Sequence, residues 1–390
     1  MLKIKSILTG IVLLTFILIV GVFVFAPAVV EQKFNRLEAH APYLISEQAR
    51  QLHQSLLIGD WHADSLLWNR DLAKRHDYGH VDFPRLQEGN VALQMFTTVT
   101  KSPSGLNYEH NEVDASDNIT SIAILQRWPI STWGSLTARA VVQADKLHLF
   151  AQQNMQNFML ITSKQQLAEF ILQRQTNTRM VGGLLGTEGS HALDGELSNI
   201  QLLFDKGFRM MSLHHFFDNK LGGSLHGASQ GGLSLFGRDA LTKMQALGIM
   251  VDVSHSSEKV VQEVLEFSQS PLLISHTGFQ GHCQTPRNIS DNLMQTIASK
   301  GGLIAVGYWD AAVCGISPKN VAESIKYGVQ LVGEDHVALG SDYDGAVTVA
   351  FDTSELAVLT QELLKAGLGE GQIRKVMGGN MLTFLQDNLP

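Results

Sequence analysis

The sequence predicts an α/β protein whose main domain is a (β/α)8 TIM barrel preceded by an N-terminal transmembrane helix. Short apolar runs alternate with longer segments of helical periodicity, as in a parallel sheet covered by helices. There are eight such runs, the number that closes a β/α barrel. A doubly wound open sheet is the structural alternative. It would need a glycine-rich phosphate-binding turn after its first strand, where this chain has Asp60-Trp61-His62.

The N-terminal stretch Ile7–Val30 contains no charged residue. It exceeds the ~20 apolar residues that a helix needs to cross a membrane. Lys3 and Lys5 precede it, so the N-terminus is expected to stay in the cytoplasm and the rest of the chain to be periplasmic or extracellular. A cleaved signal peptide is the alternative, but its apolar region would span only about 7–15 residues. The length therefore favours an uncleaved anchor.

The composition fits a large globular domain with a full-sized core, since 44% of the 390 residues are hydrophobic and 17% are charged. The predicted organisation is an anchor over 1–30, a connecting helix over 31–54 and the barrel domain over 55–390. A net charge of −8 without long charged runs argues against nucleic-acid binding. The two cysteines, Cys283 and Cys314, allow either one disulfide or two buried thiols.

The predicted strands share a pattern at their carboxyl ends. They are Leu56–Ile58, Val91–Phe96, Val181–Gly186, Phe208–Leu213, Ile249–Val253, Leu272–Ile274, Leu303–Val306 and Val337–Gly340. Six of the eight are followed by side chains that bind metals or move protons. These side chains are His62 with Asp64, Glu188, His214 with His215, His255, His276, and Asp342 with Asp344. In a parallel barrel the carboxyl ends of all strands meet at one mouth, so these groups are expected to lie together.

Each of these residues alone has an ordinary structural explanation, as a hydrogen-bonded core residue or as a cap. Crowded together and buried, imidazoles and carboxylates need a cation to balance them. The candidate ligands are His62, Asp64, Glu188, His255 and His276. Five ligands exceed what one catalytic zinc holds, because such a site keeps a position for water. They suit two ions that share Glu188, with His62 and Asp64 on one ion and His255 and His276 on the other.

An ordered set of motifs resembles the signature of the membrane (renal-type) dipeptidases, a family of metallo-dependent hydrolases. The motifs are Asp60-Trp61-His62-Ala63-Asp64, Thr187-Glu188-Gly189, Leu213-His214-His215, Asp252-Val253-Ser254-His255, Ser275-His276 with Pro286-Arg287-Asn288, and Gly340-Ser341-Asp342-Tyr343-Asp344-Gly345. The resemblance extends from about residue 56 to Gly378-Gly379-Asn380. Many members carry His-Asn-Asp where this chain has His62-Ala63-Asp64, a difference that keeps both ligands.

The resemblance implies a hydrolase with two Zn²⁺ per chain that cleaves small dipeptides on a TIM barrel. It assigns the same five ligands, with Glu188 as the bridge. Between His214 and His215 it selects His215 as the group that contacts substrate and stabilises the oxyanion. It implies Arg287 as the clamp on the substrate carboxylate. It implies Asp342 as the substrate-contacting group that moves the proton from water to the leaving amine.

Two alternative functions remain beside this interpretation. Other amidohydrolase-type metal hydrolases usually begin with His-x-His, and many bridge their metals with a modified lysine on strand four, but Phe208–Leu213 contains no lysine. A non-catalytic metal-containing binding protein would have no need of Asp342 or Arg287, neither of which is a predicted ligand. The sequence leaves monomer and homodimer both open.

Overall fold

The computed structural model describes residues 2–390, and its central feature is a closed barrel of parallel strands. The strands are β1 (Arg36–Leu37), β2 (Ile58–Ala63), β3 (Val91–Val99), β4 (Phe158–Leu160), β5 (Val181–Glu188), β6 (Phe208–Ser212), β7 (Met250–Asp252), β8 (Leu273–Thr277), β9 (Leu303–Val306), β10 (Val337–Leu339) and β11 (Thr348–Val349). The barrel consists of β2, β3 and β5 to β10, each hydrogen-bonded to the next, with β10 pairing back to β2.

All eight predicted strands are the barrel strands, so the fold prediction is confirmed. The sequence analysis missed two smaller features. The short strand β4 pairs with the first residues of β5. The later residues of β5 pair with β6 instead. The two-residue strands β1 and β11 pair with each other outside the barrel.

The helices surround this sheet, and the longest is the N-terminal one. They are α1 (Leu2–Phe34), α2 (Glu47–Gln54), α3 (Phe83–Glu88), α4 (Asn118–Leu125), α5 (Leu136–Gln153), α6 (Lys164–Thr176), α7 (Ser198–Asp205), α8 (Leu235–Ala246), α9 (Glu258–Phe267), α10 (Asp291–Ser299), α11 (Asp310–Val313), α12 (Pro318–Val332), α13 (Ala357–Lys365), α14 (Glu370–Arg374) and α15 (Asn380–Asn388). Within α1, the segment Ile7–Phe34 is long and apolar enough to cross a membrane.

The prediction of one connecting helix over 31–54 is wrong. Helix α1 ends at Phe34, β1 follows, and α2 begins only at Glu47. Pro42 lies between them, and a proline inside a helix removes a hydrogen bond and clashes with the preceding turn. Ser46 then starts α2 as its N-cap, accepting a hydrogen bond from the Ala49 amide at 3.2 Å.

The C-terminal region and the cysteines complete the domain. Near the C-terminus α13 ends at Lys365 and α14 begins at Glu370. Met381 and Leu385 of α15 belong to the same buried apolar cluster as Leu93 of β3, so the last helix is part of the core. Cys283 and Cys314 form a disulfide with their Cα atoms 5.5 Å apart.

Candidate active site

The barrel strands deliver the predicted ligands to one buried cluster at the mouth. His62 lies in β2, Asp64 directly follows it, and Glu188 is the last residue of β5. The others lie in or just after the strands β7, β8 and β10, and they are His255, His276 and Asp342. All six are nearly inaccessible to solvent, and Asp342 is the most exposed at 7%. The expected convergence at one end of the sheet is therefore present in the structure.

Glu188 lies at the centre of this cluster. Its Oε1 is within 3.3–3.5 Å of the Nε2 atoms of four histidines, which are His62, His215, His255 and His276. The Nε2 atoms of His255 and His276 are 2.9 Å apart. His62 Nε2 also lies 3.7 Å from Asp64 Oδ2 and 4.0 Å from Asp342 Oδ1. One carboxylate oxygen is thus surrounded by imidazole nitrogens from different strands.

Burial and like charge shift the pKa values in this cluster. Burial and the neighbouring Asp64 carboxylate raise the pKa of both Glu188 and Asp342 well above the usual range. Burial lowers the pKa of His255 and His276 well below that of a free histidine, and Arg287 adds to this effect. Burial also opposes charge on His62, but the carboxylates of Asp64 and Glu188 outweigh it and raise its pKa. The neutral imidazole is the form that binds metals.

These residues fit one or more divalent metal ions. The buried His62 Nε2 has no hydrogen-bond partner among the described residues, and a ligand atom left unpaired in this way costs free energy unless a cation occupies the space. Imidazole nitrogens with carboxylate oxygens are the ligand types of zinc and similar ions. Two groups have ligand atoms within 4.8 Å of one another, namely His62, Glu188, His276 and Asp342, and Glu188, His215 and His255. Glu188 belongs to both.

The predicted sharing of these ligands between two ions stays a prediction. His255 and His276 were predicted to hold the same ion, and their Nε2 atoms are 2.9 Å apart, although the two groups place His276 with His62 and His255 with His215. Asp64, a predicted ligand, is in neither group, but its Oδ2 is 3.7 Å from His62 Nε2 and its Oδ1 accepts a hydrogen bond from Thr97. Glu188, the predicted bridge, belongs to both groups.

The structure separates the two adjacent histidines after β6. His215 points its Nε2 at Glu188 Oε1, 3.5 Å away, while its Nδ1 lies 2.9 Å from the carbonyl oxygen of Lys101. His214 instead faces Ser256 Oγ at 3.0 Å and is fully buried. His215 is therefore the one that faces the cluster. With its Nδ1 hydrogen donated to Lys101, a neutral His215 presents a lone pair at Nε2, and it can donate from that atom only as the imidazolium.

Arg287 lies beside the cluster with part of its hydrogen-bonding capacity unused. Its Nη1 donates to the Ser254 carbonyl at 3.0 Å and its Nη2 to the His276 carbonyl at 2.8 Å. The buried Nε–H has no partner among the described residues. The guanidinium carbon is 5.2 Å from the ring centre of Trp309, so the side chain is held between two backbone carbonyls and an aromatic face. A fixed guanidinium with an unused donor can receive an anionic group of a ligand.

The loop after β10 presents Asp342 in a strained conformation. Asp342 has a φ of 61°, in the left-handed region that non-glycine residues rarely adopt. A Cβ on Gly345 would lie 2.1 Å from Asp342 Oδ1, so only glycine fits beside this carboxylate. Backbone strain of this kind persists only where surrounding contacts enforce it, and it is concentrated at functional sites.

The sequence analysis assigned no role to a network beneath the ligands, centred on Ser275. Ser275 Oγ donates to Asp252 Oδ2 at 2.7 Å and lies 3.0 Å from Nδ1 of both His62 and His276. A hydroxyl has one hydrogen and two lone pairs, so it can donate to Asp252 and accept from both imidazoles. This assigns the ring hydrogens to Nδ1 and leaves both Nε2 lone pairs facing the cluster. An aspartate inside the apolar run Ile249–Val253 was the available signal.

Ser275→Ala is expected to weaken Zn²⁺ binding about 10–100-fold, the usual cost of removing a hydrogen-bond partner behind a metal ligand. The substitution would leave both imidazoles without an acceptor for Nδ1–H and Asp252 Oδ2 without its donor. Competition with a chromophoric chelator measures the affinity. Ser324→Ala is the control, because the Ser324 hydroxyl is equally buried and has no hydrogen-bond partner among the described residues. Equal affinity in both variants would contradict the positioning role.

A cavity of about 440 Å³ opens onto the cluster. Its wall includes Glu188, His215, His255, Arg287 and Asp342, and it is completed by Phe34, Tyr108, Phe216 and Trp309. Its size falls in the range of small-molecule sites, which is roughly 300–1,000 Å³. The combination of charged, imidazole and aromatic side chains in its wall suits a short ligand with polar ends.

Comparison with known proteins agrees with this architecture. Residues 46–388 match the family model described as membrane dipeptidase, Peptidase family M19. The chain belongs to the membrane dipeptidase family. The resemblance stated from the motifs is therefore confirmed, and the chain is a dipeptidase of the metallopeptidase type with a buried candidate metal site.

Individual relatives have low sequence identity to this chain and match different shares of it. The chain is 27% identical over 388 residues to the dipeptidase aclJ of Aspergillus oryzae, covering 90% of this chain and 84% of that protein. It is 29% identical over 228 residues to mouse dipeptidase 3, covering 53% of this chain and 44% of that protein.

Solved structures share the fold. The probable dipeptidase PvdM of Pseudomonas aeruginosa aligns with a TM-score of 0.73 at 19% identity, over 88% of this chain and 98% of that one. A metallo peptidase of Rhodobacter sphaeroides, liganded with a phosphinate mimic of the dipeptide L-Ala-D-Ala, aligns with a TM-score of 0.69 at 21% identity. The alignment covers 86% of this chain and 99% of that one.

Proposed function

We propose that this chain hydrolyses dipeptides with two zinc ions, which would be held by His62, Asp64, Glu188, His255 and His276. The observation that carries the proposal is the position of Glu188 Oε1, within 3.3–3.5 Å of four imidazole Nε2 atoms. A carboxylate that several imidazoles approach in this way could be shared between two ions. Two ions about 3.5–4 Å apart are the usual arrangement where one water is activated between them.

The bound ions would lower the pKa of the attacking water and polarise the scissile carbonyl. Asp342 would take the proton from that water and pass it to the leaving amine. Its raised pKa, caused first by burial and then by Asp64, suits a carboxyl that must hold a proton between the two steps. His215 would stabilise the developing oxyanion from Nε2 as the imidazolium, because the hydrogen of its neutral ring is donated from Nδ1 to Lys101. Burial lowers the pKa of His215 to about 4, so the ring would take up a proton from water only as negative charge gathers beside it.

Arg287 would fix the length of the substrate. Arg287 lines the same cavity as Glu188 and Asp342, so a free carboxylate bound to its guanidinium would lie close to the reacting centre. A peptide with several residues beyond the scissile bond would place its carboxylate too far away. The dipeptide mimic in the related Rhodobacter sphaeroides metallo peptidase supports the same substrate class.

We also propose that α1 anchors the enzyme in a membrane, with the barrel outside the cytoplasm. The apolar segment Ile7–Phe34 supplies the length for a span, and Lys3 and Lys5 precede it on the side expected to be cytoplasmic. The disulfide between Cys283 and Cys314 supports the same location, because such bonds persist in oxidising compartments.

Removal of metal is expected to abolish dipeptide hydrolysis, and Zn²⁺ is expected to restore it at two ions per chain. The test is a chelator-treated full-length enzyme in detergent, titrated with Zn²⁺ while activity and bound metal are both measured. Dipeptides with L- and D-residues at the second position form the substrate panel, and the matched tripeptides are the control. Full activity in the metal-free protein would contradict the mechanism, and equal turnover of tripeptides would contradict the role of Arg287.

A further inference from the structure

The end of α1 is packed against the catalytic mouth rather than joined to it by a free linker. Pro27, Glu31 and Asn35 recur every four residues and are all buried, so one face of the last helical turns is covered by the barrel domain. Glu31 Oε1 accepts from Arg70 Nε at 2.8 Å, and Asn35 Oδ1 accepts from the Ala346 amide at 2.9 Å. Arg70 Nη2 in turn donates to Asp344 Oδ2 at 2.6 Å, two residues from Asp342. The helix is therefore fixed to the loop that carries the proposed proton carrier.

The length of α1 leaves no gap between a bilayer and this contact. A hydrocarbon core ~30 Å thick takes up ~20 helical residues at 1.5 Å each. Counted from Ile7, such a span ends near Ala26, and Pro27 is already buried against the domain. Lys33 and Arg36 follow and are exposed, as expected for cations at the level of lipid headgroups. The domain surface beside α1 must then lie at the membrane interface.

That surface includes apolar side chains. Val30 of α1 packs against a buried cluster that contains Ile119 of α4, and Ile122 and Trp128 pack against the same cluster. The same stretch of chain exposes further large apolar side chains, which are Ile124 at 38%, Ile130 at 76% and Trp133 at 45%. Scattered exposed apolar residues are ordinary, but Ile124 lies on α4, which contacts α1, and Ile130 and Trp133 lie in a turn that contacts α4. Tryptophan is enriched where a protein meets the headgroup region of a bilayer.

We propose that this surface, formed by Ile124, Ile130 and Trp133, is a second contact with the bilayer that α1 crosses, so that the catalytic mouth opens at the membrane surface. The proposal rests on the proposed anchoring by α1 and adds the orientation of the active site. Phe34, at the end of α1, and Leu106, which is 40% exposed, both line the cavity that contains Glu188 and Asp342. Dipeptides would therefore enter along the lipid headgroups rather than from the far side of the domain.

Spin labels in the full-length protein test this orientation. The native cysteines are bonded to each other, so a nitroxide attaches only to an introduced thiol. Ile130→Cys reports on the proposed surface and Val12→Cys, 68% exposed on α1, reports on the anchor itself. Met155→Cys is the control, since Met155 is 74% exposed and precedes β4, at the end of the barrel opposite the mouth. Each variant is placed in lipid nanodiscs, and collisions with oxygen and with a water-soluble nickel chelate are measured by power saturation.

The Ile130 label is expected to give an oxygen-to-nickel collision ratio several-fold above that of the Met155 label and to approach that of Val12. An Ile130 label as accessible to nickel as the Met155 label, with Val12 in lipid, would overturn the proposed surface and leave the anchor intact. A water-exposed Val12 label would overturn both. Dipolar broadening between Ile130 labels would overturn the proposal in favour of a contact between two copies of the chain. Dipeptidase activity of the same samples is measured separately and tests the function independently.

Discussion

Glu188→Gln is expected to reduce dipeptide hydrolysis to the level of the metal-free protein and to remove at least one bound ion per chain. The four imidazole Nε2 atoms that lie 3.3–3.5 Å from Glu188 Oε1 would then face a neutral amide, which cannot balance two dications. The loss of metal affinity should exceed the roughly 100-fold that follows removal of a group behind a ligand. Ser275→Ala is therefore expected to lose less metal affinity than Glu188→Gln.

Metal content by elemental analysis and kcat/KM on one dipeptide measure the effect. Glu169→Gln is the control, because Glu169 is exposed on α6, away from the mouth. Thermal unfolding of both variants shows whether the protein still folds. A Glu188→Gln protein that retains two ions and most of its activity would exclude Glu188 as the bridging ligand. Retention of one ion with complete loss of activity would agree with a bridge whose second ion is required for turnover.

The barrel could be predicted because parallel strands are covered on both faces and therefore read as continuous apolar runs. Every residue of β3 and β5 is buried, and both runs were recognised at their correct place. The strand β4 was missed because it is additional to the eight barrel strands and pairs with only the beginning of β5. The irregular segment before α2 was missed because helical spacing was given more weight than Pro42.

The candidate ligand residues could be predicted from the strand ends, but the hydrogen bonds that orient the site residues could not. The orientation of His215 depends on a carbonyl oxygen 114 residues away, that of Lys101. The role of Asp252 depends on Ser275, in the next strand of the barrel. Asp60 is similar, since its carboxylate accepts from the amides of His62 and Ser341 and so joins β2 to the loop that carries Asp342. Such contacts are fixed by the closure of the barrel, and a local pattern does not contain them.

The contact between α1 and the mouth of the barrel also joins residues that are far apart in the sequence, so a local pattern does not predict it. In the sequence the apolar run ends at Val30, and Glu31 was predicted to begin a connecting helix between the membrane and the domain. In the structure the Glu31 carboxylate is buried with Arg70, and Arg70 is shared with Asp344. A buried arginine between two carboxylates is costly to break, so the helix and the loop after β10 are expected to move as one unit.

Asp342→Asn separates an enzyme from a protein that only binds its ligand. The substitution is expected to lower kcat about 10²–10⁴-fold, the usual contribution of a positioned proton carrier, while the metal content stays unchanged. Asparagine has nearly the same shape as aspartate and tolerates the left-handed backbone that Asp342 adopts, with its φ of 61°. The loss can therefore be attributed to the missing carboxylate rather than to a displaced loop.

Asp194→Asn is the matched control, because Asp194 also has a left-handed backbone, with a φ of 48°, and its carboxylate caps α5 away from the cluster. Measurement of kcat and KM with metal content distinguishes the outcomes. An unchanged KM with a reduced kcat would show that Asp342 acts after substrate has bound, since uniform binding energy changes KM alone. Full turnover in Asp342→Asn would move the proton transfer to another group, and the cavity wall offers Glu188, His215 and His255 as candidates. A protein that binds dipeptides equally well in both forms and hydrolyses neither would be a binding protein with a retained metal site.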